Sequence, residues 1–242
     1  MPLQNLNLSD CKITDAGLAH LVDLPLQTLI LRWCYKIIGA GLAHLAGMSL
    51  QNLNLRGCGI TDAGLAHLVD LPLQILNLSD CKITDAGLVH LKGMPLWKLN
   101  LSYCYITDAG LAHLVGLPLW KLYLSGCYNI TDAGLALLAG MPLRKLNLSE
   151  CGITDAGLVL LAGMPLWKLN LSECGITDAG LAHLSRLPLR HLDLSSCRNI
   201  TDAGLAHLSR LLLRILYLSG CYNITDDGLA HLVGLPLQNL NL

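Results

Sequence analysis

Charge is scarce in this sequence. Only 14% of its 242 residues are Asp, Glu, Lys or Arg, the formal net charge is −1, and the pI is about 6.7. That near-neutral balance argues against a nucleic-acid or acidic-membrane binder, which needs an excess of Lys and Arg on one face. No stretch approaches the ~20 apolar residues that cross a bilayer, although 53% of the chain is hydrophobic, and the start, MPLQNLNLSDC, lacks a basic segment followed by an apolar one. A chain neither exported nor membrane-spanning is expected. Phosphate-cradling glycine loops of the P-loop or GxGxxG kind are absent, and so is phenylalanine.

What is abundant is periodic. The ten cysteines, Cys11, Cys34, Cys58, Cys81, Cys104, Cys127, Cys151, Cys174, Cys197 and Cys221, recur every 23 or 24 residues and set one register from end to end. A single domain over 1-242 of about ten repeats, with no capping repeats, is expected. Within LPLQILNLSDCKITDAGLVHL (71–91), Leu73, Leu76 and Leu78 alternate with polar residues as in a strand buried on one face. In ITDAGLAHL the period changes: Ile13, Leu18 and Leu21 follow helical spacing, and Thr-Asp suits a capped helix start. Each repeat reads as strand, turn and short helix. Right-handed stacking of such units predicts an α/β solenoid, a curved horseshoe or arc with a parallel concave β-sheet and convex helices.

The pattern LxxLxLxxCxxITDxGLxxL resembles the cysteine-containing leucine-rich repeats of F-box/leucine-rich-repeat substrate adaptors and of many bacterial repeat proteins, over essentially the whole chain. The resemblance implies the solenoid fold and a protein-interaction scaffold. It implies ubiquitin-ligase substrate recognition only with an F-box upstream, and no such helices precede the first repeat. Four repeats carry one more residue after the cysteine, as in Cys127-Tyr128-Asn129-Ile130, and the second replaces Thr-Asp by Ile38-Gly39. Residues 2–8 (PLQNLNL) recur unchanged as 236–242, so the chain begins and ends inside equivalent strands. Unpaired edges template association, and a homodimer through these ends is expected. Near-identical repeats without phenylalanine also fit a designed or excised array with no natural ligand, which stays open as an alternative.

The cysteine column is expected to hold buried, reduced thiols. Stacked side chains point in parallel rather than converging on a disulfide, and no spacing gathers four zinc ligands. Reduced thiols without a signal peptide point to the cytoplasm. The histidines His20, His44, His67, His90, His113, His183, His207 and His231 share one slot on the helix and read as half-exposed convex residues; His191 alone falls on the strand side, where it could meet a ligand. Ser79, Asp80 and their equivalents recur as loop positions, so no unique nucleophile, base and orienting group stands out. No enzyme, cofactor or metal is expected.

The repeats differ most on the sheet face. Before the middle leucine stand Lys98, Lys121, Lys145 and Lys168, and one residue earlier Trp97, Trp120, Arg144 and Trp167, where terminal repeats carry Gln4-Asn5, Gln51-Asn52 and Gln238-Asn239. Four lysines on adjacent strands repel one another, which gives them no packing rationale. Asp80, Tyr103, Glu150 and Glu173 mark the other edge, and Asn77, Asn100, Tyr123, Asn147, Asn170, Asp193 and Tyr217 form a middle column suited to hydrogen bonding. One reading is a solvated mixed-charge face. The other, favoured because Trp and Arg concentrate at binding hot spots, is a partner site of Trp97, Lys98, Trp120, Lys121, Tyr123, Arg144, Lys145, Trp167 and Lys168 for an acidic peptide or protein surface. A carbohydrate or anion binder is the remaining alternative.

Overall fold

A computed structural model describes residues 3–242, so Pro2 of the recurring heptad lies outside the described residues. Two compact units divide the chain, Met1–Tyr123 and Leu124–Leu242. The first contains β1 (Asn5–Asn7), β2 (Thr28–Ile30), β3 (Asn52–Asn54), β4 (Ile75–Asn77), β5 (Lys98–Asn100) and β6 (Lys121–Tyr123). The second contains β7 (Lys145–Asn147), β8 (Lys168–Asn170), β9 (His191–Asp193), β10 (Ile215–Tyr217) and β11 (Asn239–Asn241). Within each unit the strands pair in parallel with the next in sequence and without slippage, as in Leu53↔Leu76 and Leu169↔Leu192.

Alternation explains the strands. Leu76 and Leu78 are buried while Ile75 and Asn77 stand half-exposed on the outer face, the two-residue period of a sheet with one face packed. Each strand is only three residues long because a turn follows at once. The Asn77 side-chain oxygen accepts from the Ser79 N–H at 3.0 Å and from its hydroxyl at 2.8 Å, and Asp80 next adopts a left-handed φ of 60°. Equivalent side-chain turns form at Asn54, Asn100, Asn147, Asn170 and Asp193. Of the column expected to supply hydrogen bonds, Asn77, Asn100, Asn147, Asn170 and Asp193 thus already use a side-chain oxygen to close their own turns.

Helices are short, as Asp85–Leu88 continued by a 3-10 turn over Val89–Leu91, or wholly 3-10, as Asp15–Leu21 and Ala40–Leu45. Gly93, at φ 80°, takes the left-handed turn after Leu91, and Pro95 leads into the next strand. Thr84, Thr107, Thr131, Thr177, Thr201 and Thr225 cap their helices by accepting from the second helical amide, whereas Thr14, Thr61 and Thr154 make no such bond. The helix-face histidines are exposed or half-exposed, as expected.

Nine cysteines are buried. The Sγ–H groups of Cys34, Cys58, Cys81, Cys104, Cys151, Cys174, Cys197 and Cys221 donate back one repeat to the carbonyl of the last strand-side leucine, for example Cys58 to Leu31 at 3.0 Å and Cys174 to Leu148 at 3.1 Å. Burial pushes the Cys58, Cys81 and Cys197 thiols up to about 12 and Cys174 to about 11. Cys11 departs from the expectation that all ten are buried. It is exposed, because the cover each thiol receives comes from the repeat before it.

Candidate binding surfaces on the sheet

In the first unit β5 and β6 open with Lys98 and Lys121, which lie directly opposite one another. Each ammonium sits over an aromatic ring of the adjoining repeat: Lys121 Nζ is 4.8 Å from the Trp97 centroid, and Lys98 Nζ is 5.9 Å from that of Tyr123. A cation over a ring at an exposed site contributes about 0.5–1 kcal/mol. The lysines therefore do have a packing rationale, contrary to expectation, and it offsets the repulsion between them. Burial raises the Tyr123 phenol above its ordinary value.

The tryptophans are not strand residues. Trp97 and Trp120 come one residue before their strands, immediately after Pro95-Leu96 and Pro118-Leu119, so they line the rim where chains enter the sheet. With Gln74, Pro95, Pro118 and Lys121 they enclose an open cleft of about 570 Å³. Trp97 is half-buried, and Trp120 is 51% exposed.

In the second unit Lys145 lies opposite Lys168, and Lys168 opposite His191. Lys145 Nζ is 4.3 Å over the Trp167 ring, and Trp167 meets the His191 imidazole edge-on at 5.8 Å. His191 Nδ1 is buried without a hydrogen-bond partner. Desolvation, then the charges of Lys168 and Lys145, hold this imidazole below its usual pKa. His191 also borders a hollow of about 60 Å³ with Lys168, Asn170, Asp193 and Tyr217. Arg144 and Lys168 are exposed. Thus Trp97, Lys98, Trp120, Lys121 and Tyr123 gather in the first unit, and Arg144, Lys145, Trp167 and Lys168 in the second, with His191 added to the latter.

Sequence reasoning missed a further cluster in the first unit. The Arg56 guanidinium lies 5.1 Å over Trp33 and donates from Nε to Asp80 at 2.9 Å, so Asp80 is paired internally. Trp33 has a left-handed φ of 58°, and its ring occupies the space a Cβ on Gly57 would need. The signal available in sequence was the position before the cysteine, where Asp10, Trp33, Asp80, Tyr103, Glu150, Glu173 and Ser196 all take positive φ. In the second unit Glu150 accepts a hydrogen bond from the exposed Tyr128 hydroxyl at 3.2 Å, and this carboxylate raises the Tyr128 pKa.

Among the described residues no group of three or more His, Cys, Asp or Glu side chains is placed to hold a metal ion, and no helix is long and apolar enough to cross a membrane. The family model described as Leucine Rich repeat matches residues 1–22, 48–69, 71–91, 95–115, 141–162, 165–185 and 188–209, more than half of the chain. A search of curated proteins finds no match. Among solved structures, a chain from the yeast Rad7 and Elc1 complex is similar over 95% of this chain and 72% of its own length, with 20% identity and a TM-score of 0.53. An internalin, inlF, from Listeria monocytogenes is similar over 95% of this chain and 89% of its own, with 20% identity and a TM-score of 0.51. Both likenesses concern the fold.

Proposed function

The chain belongs to the leucine-rich-repeat family, and from that premise we propose a non-enzymatic scaffold that binds an acidic peptide or protein surface on the outer face of its sheet. One observation carries the reading: lysines stand directly opposite lysines in each unit, Lys98 by Lys121 and Lys145 by Lys168, beside accessible tryptophans. The rings beside Lys98, Lys121 and Lys145 offset their mutual repulsion without neutralising their charge, so each pair still presents two positive groups that an acidic ligand would meet. Recognition of a protein partner also agrees with the yeast structural neighbour having been crystallised in a complex. The buried thiols fit a reducing compartment, and we place the protein in the cytoplasm on that ground. Exposed Leu3 beside β1, Leu240 in β11 and the adjoining Leu242 favour a homodimer through these strands. Sedimentation at micromolar concentration should then show a dimer that Leu3→Lys with Leu240→Lys converts to monomer.

The binding test is calorimetric titration with a glutamate-rich peptide. Binding should weaken steeply with salt and fall at least tenfold in Lys98→Glu with Lys168→Glu. Affinity indifferent to salt and to both reversals would refute the reading. Uptake of a sulfated glycan in place of the peptide would favour the anion-binding alternative, and silence towards all probes a ligand-free array.

A further inference from the structure

From the cleft around Trp97 and Trp120 we infer that the partner presents a proline-rich segment in polyproline II conformation, with an acidic residue beside Lys121. This rests on the scaffold reading above and narrows its ligand. The cleft is built by two successive repeats with the same dipeptide placement, Pro95 before Leu96-Trp97 and Pro118 before Leu119-Trp120, and is lined also by Gln74 and Lys121.

Most of its backbone is already committed to the sheet. The Gln74 carbonyl accepts from the Trp97 and Lys98 amides at 3.0 and 3.2 Å, and the Trp97 carbonyl accepts from the Trp120 and Lys121 amides at 2.9 and 3.1 Å. Pro95 and Pro118 carry no N–H at all. A regular ladder with an added β-strand is thereby disfavoured at Gln74 and Trp97, and recognition falls chiefly to side chains. Those side chains are chiefly donors and flat apolar faces: two indoles whose nitrogens only donate, the Lys121 ammonium and the Gln74 amide, whose oxygen is the one side-chain acceptor in the lining.

A ligand matched to such walls is rich in acceptors and apolar surface and poor in donors. Proline meets both conditions, since each residue brings a carbonyl without an N–H, and polyproline II needs no internal hydrogen bonds and docks in aromatic-lined grooves with little ordering cost. An ordinary peptide would carry one N–H per residue into a cleft whose lining offers few acceptors, the Gln74 side-chain oxygen and the proline carbonyls, and a sugar would carry several hydroxyl donors; a donor buried there without a partner is costly. Lys121, which lies across Trp97 and opposite Lys98, fixes the preferred charge of the flanking residue as negative.

The experiment titrates the intact protein, by tryptophan fluorescence and calorimetry, with an acetylated and amidated (Pro-Pro-Glu)4 peptide. A second peptide has the same glutamates with every proline replaced by alanine, and cellohexaose is the third probe. The proline peptide should bind at least tenfold more tightly than its alanine counterpart, and Trp120→Ala, with an unchanged circular dichroism spectrum, should abolish that preference. Equal binding of the two peptides overturns the inference while leaving the acidic-partner reading standing. Failure of both peptides overturns the inference and counts against that reading as well. Saturable binding of cellohexaose without either peptide overturns it in favour of a sugar cleft. Comparing the peptides on the unaltered protein needs no variant to fold.

Discussion

The Asp62 carboxylate reaches into the next repeat and accepts two hydrogen bonds from Thr84, one from its backbone N–H at 2.8 Å and one from its hydroxyl at 2.6 Å. It lies where a Cβ on Gly87 would have to go. The same trio recurs as Asp85, Thr107 and Gly110, as Asp155, Thr177 and Gly180, and as Asp178, Thr201 and Gly204. Threonine, aspartate and glycine of TDAG therefore serve three different ends of one contact between repeats. Asp155→Ala should cost about 1.5–3 kcal/mol, the range for hydrogen bonds to a charged group. Gly180→Ala should also destabilise, by pushing the same carboxylate aside. In urea unfolding the double variant should lose less than the sum of the two, because both remove one contact. Strict additivity would show that the contact carries no energy.

Acid should weaken the equivalent contact between Asp202 and Thr225. Hydrogen bonds from the Thr225 hydroxyl and amide hold the Asp202 carboxyl below its ordinary value of 3.8. A depressed carboxyl stabilises the fold above its unfolded pKa and loses that contribution as pH falls through the folded value. Thr225→Val should flatten the stability loss below about pH 4 relative to the unaltered chain. Parallel acid profiles would contradict the assignment.

The thiols should show the opposite dependence. Below about pH 9 the folded and unfolded thiols are both protonated. Above it the unfolded chain ionises first, while Cys58, Cys81 and Cys197 hold their protons to about 12. Stability should therefore decline from pH 9 upward, less steeply in Cys81→Ala. Thiol titration of the native protein near neutrality should find one fast group, lost in Cys11→Ser, and nine that react only on unfolding. Several fast thiols would mean that the repeats open readily.

The leucine and cysteine columns made the fold legible, since every core side chain repeats at a period that fits only a stacked strand and helix. The Asp62–Thr84 bond was hidden because it joins different repeats, whereas the adjacency of Thr and Asp in sequence suggested only a helix cap. Surface chemistry was partly legible: Trp97 and Lys121 were singled out, but their mutual contact spans two strands and depends on where β5 begins. Gln74, Pro95 and Pro118 were not singled out, because nothing in the sequence shows that the turns bring them around Trp97 and Trp120. Cys11 escaped notice because its sequence context matches that of the other thiols.

His191 provides a readout of ligand charge. With its imidazole held low by desolvation and by Lys168 and Lys145, its NMR titration should have a midpoint below 6.5. Stability should fall as pH drops from about 6.5 through that midpoint, because the unfolded imidazole takes up its proton first. A saturating glutamate-rich peptide should raise the midpoint by neutralising the two lysines. No shift on saturation would place the peptide away from β7–β9.

Single lysines in the second unit should separate cation–ring attraction from cross-strand repulsion. Lys145 and Lys168 share the repulsion, which is worth tenths of a kcal/mol. Lys145 in addition holds its ammonium 4.3 Å over Trp167, a contact worth about 0.5–1 kcal/mol at an exposed site. Lys168→Gln removes the repulsion and leaves that contact intact, so it should stabilise the protein by a few tenths of a kcal/mol. Lys145→Gln removes both and should be neutral or mildly destabilising. Salt enters as a second variable: the gain from Lys168→Gln should shrink between low and high ionic strength, because screening already weakens the repulsion. Urea midpoints measured at two salt concentrations decide the matter. Equal effects of the two substitutions would mean that the ammonium over Trp167 contributes nothing measurable to stability.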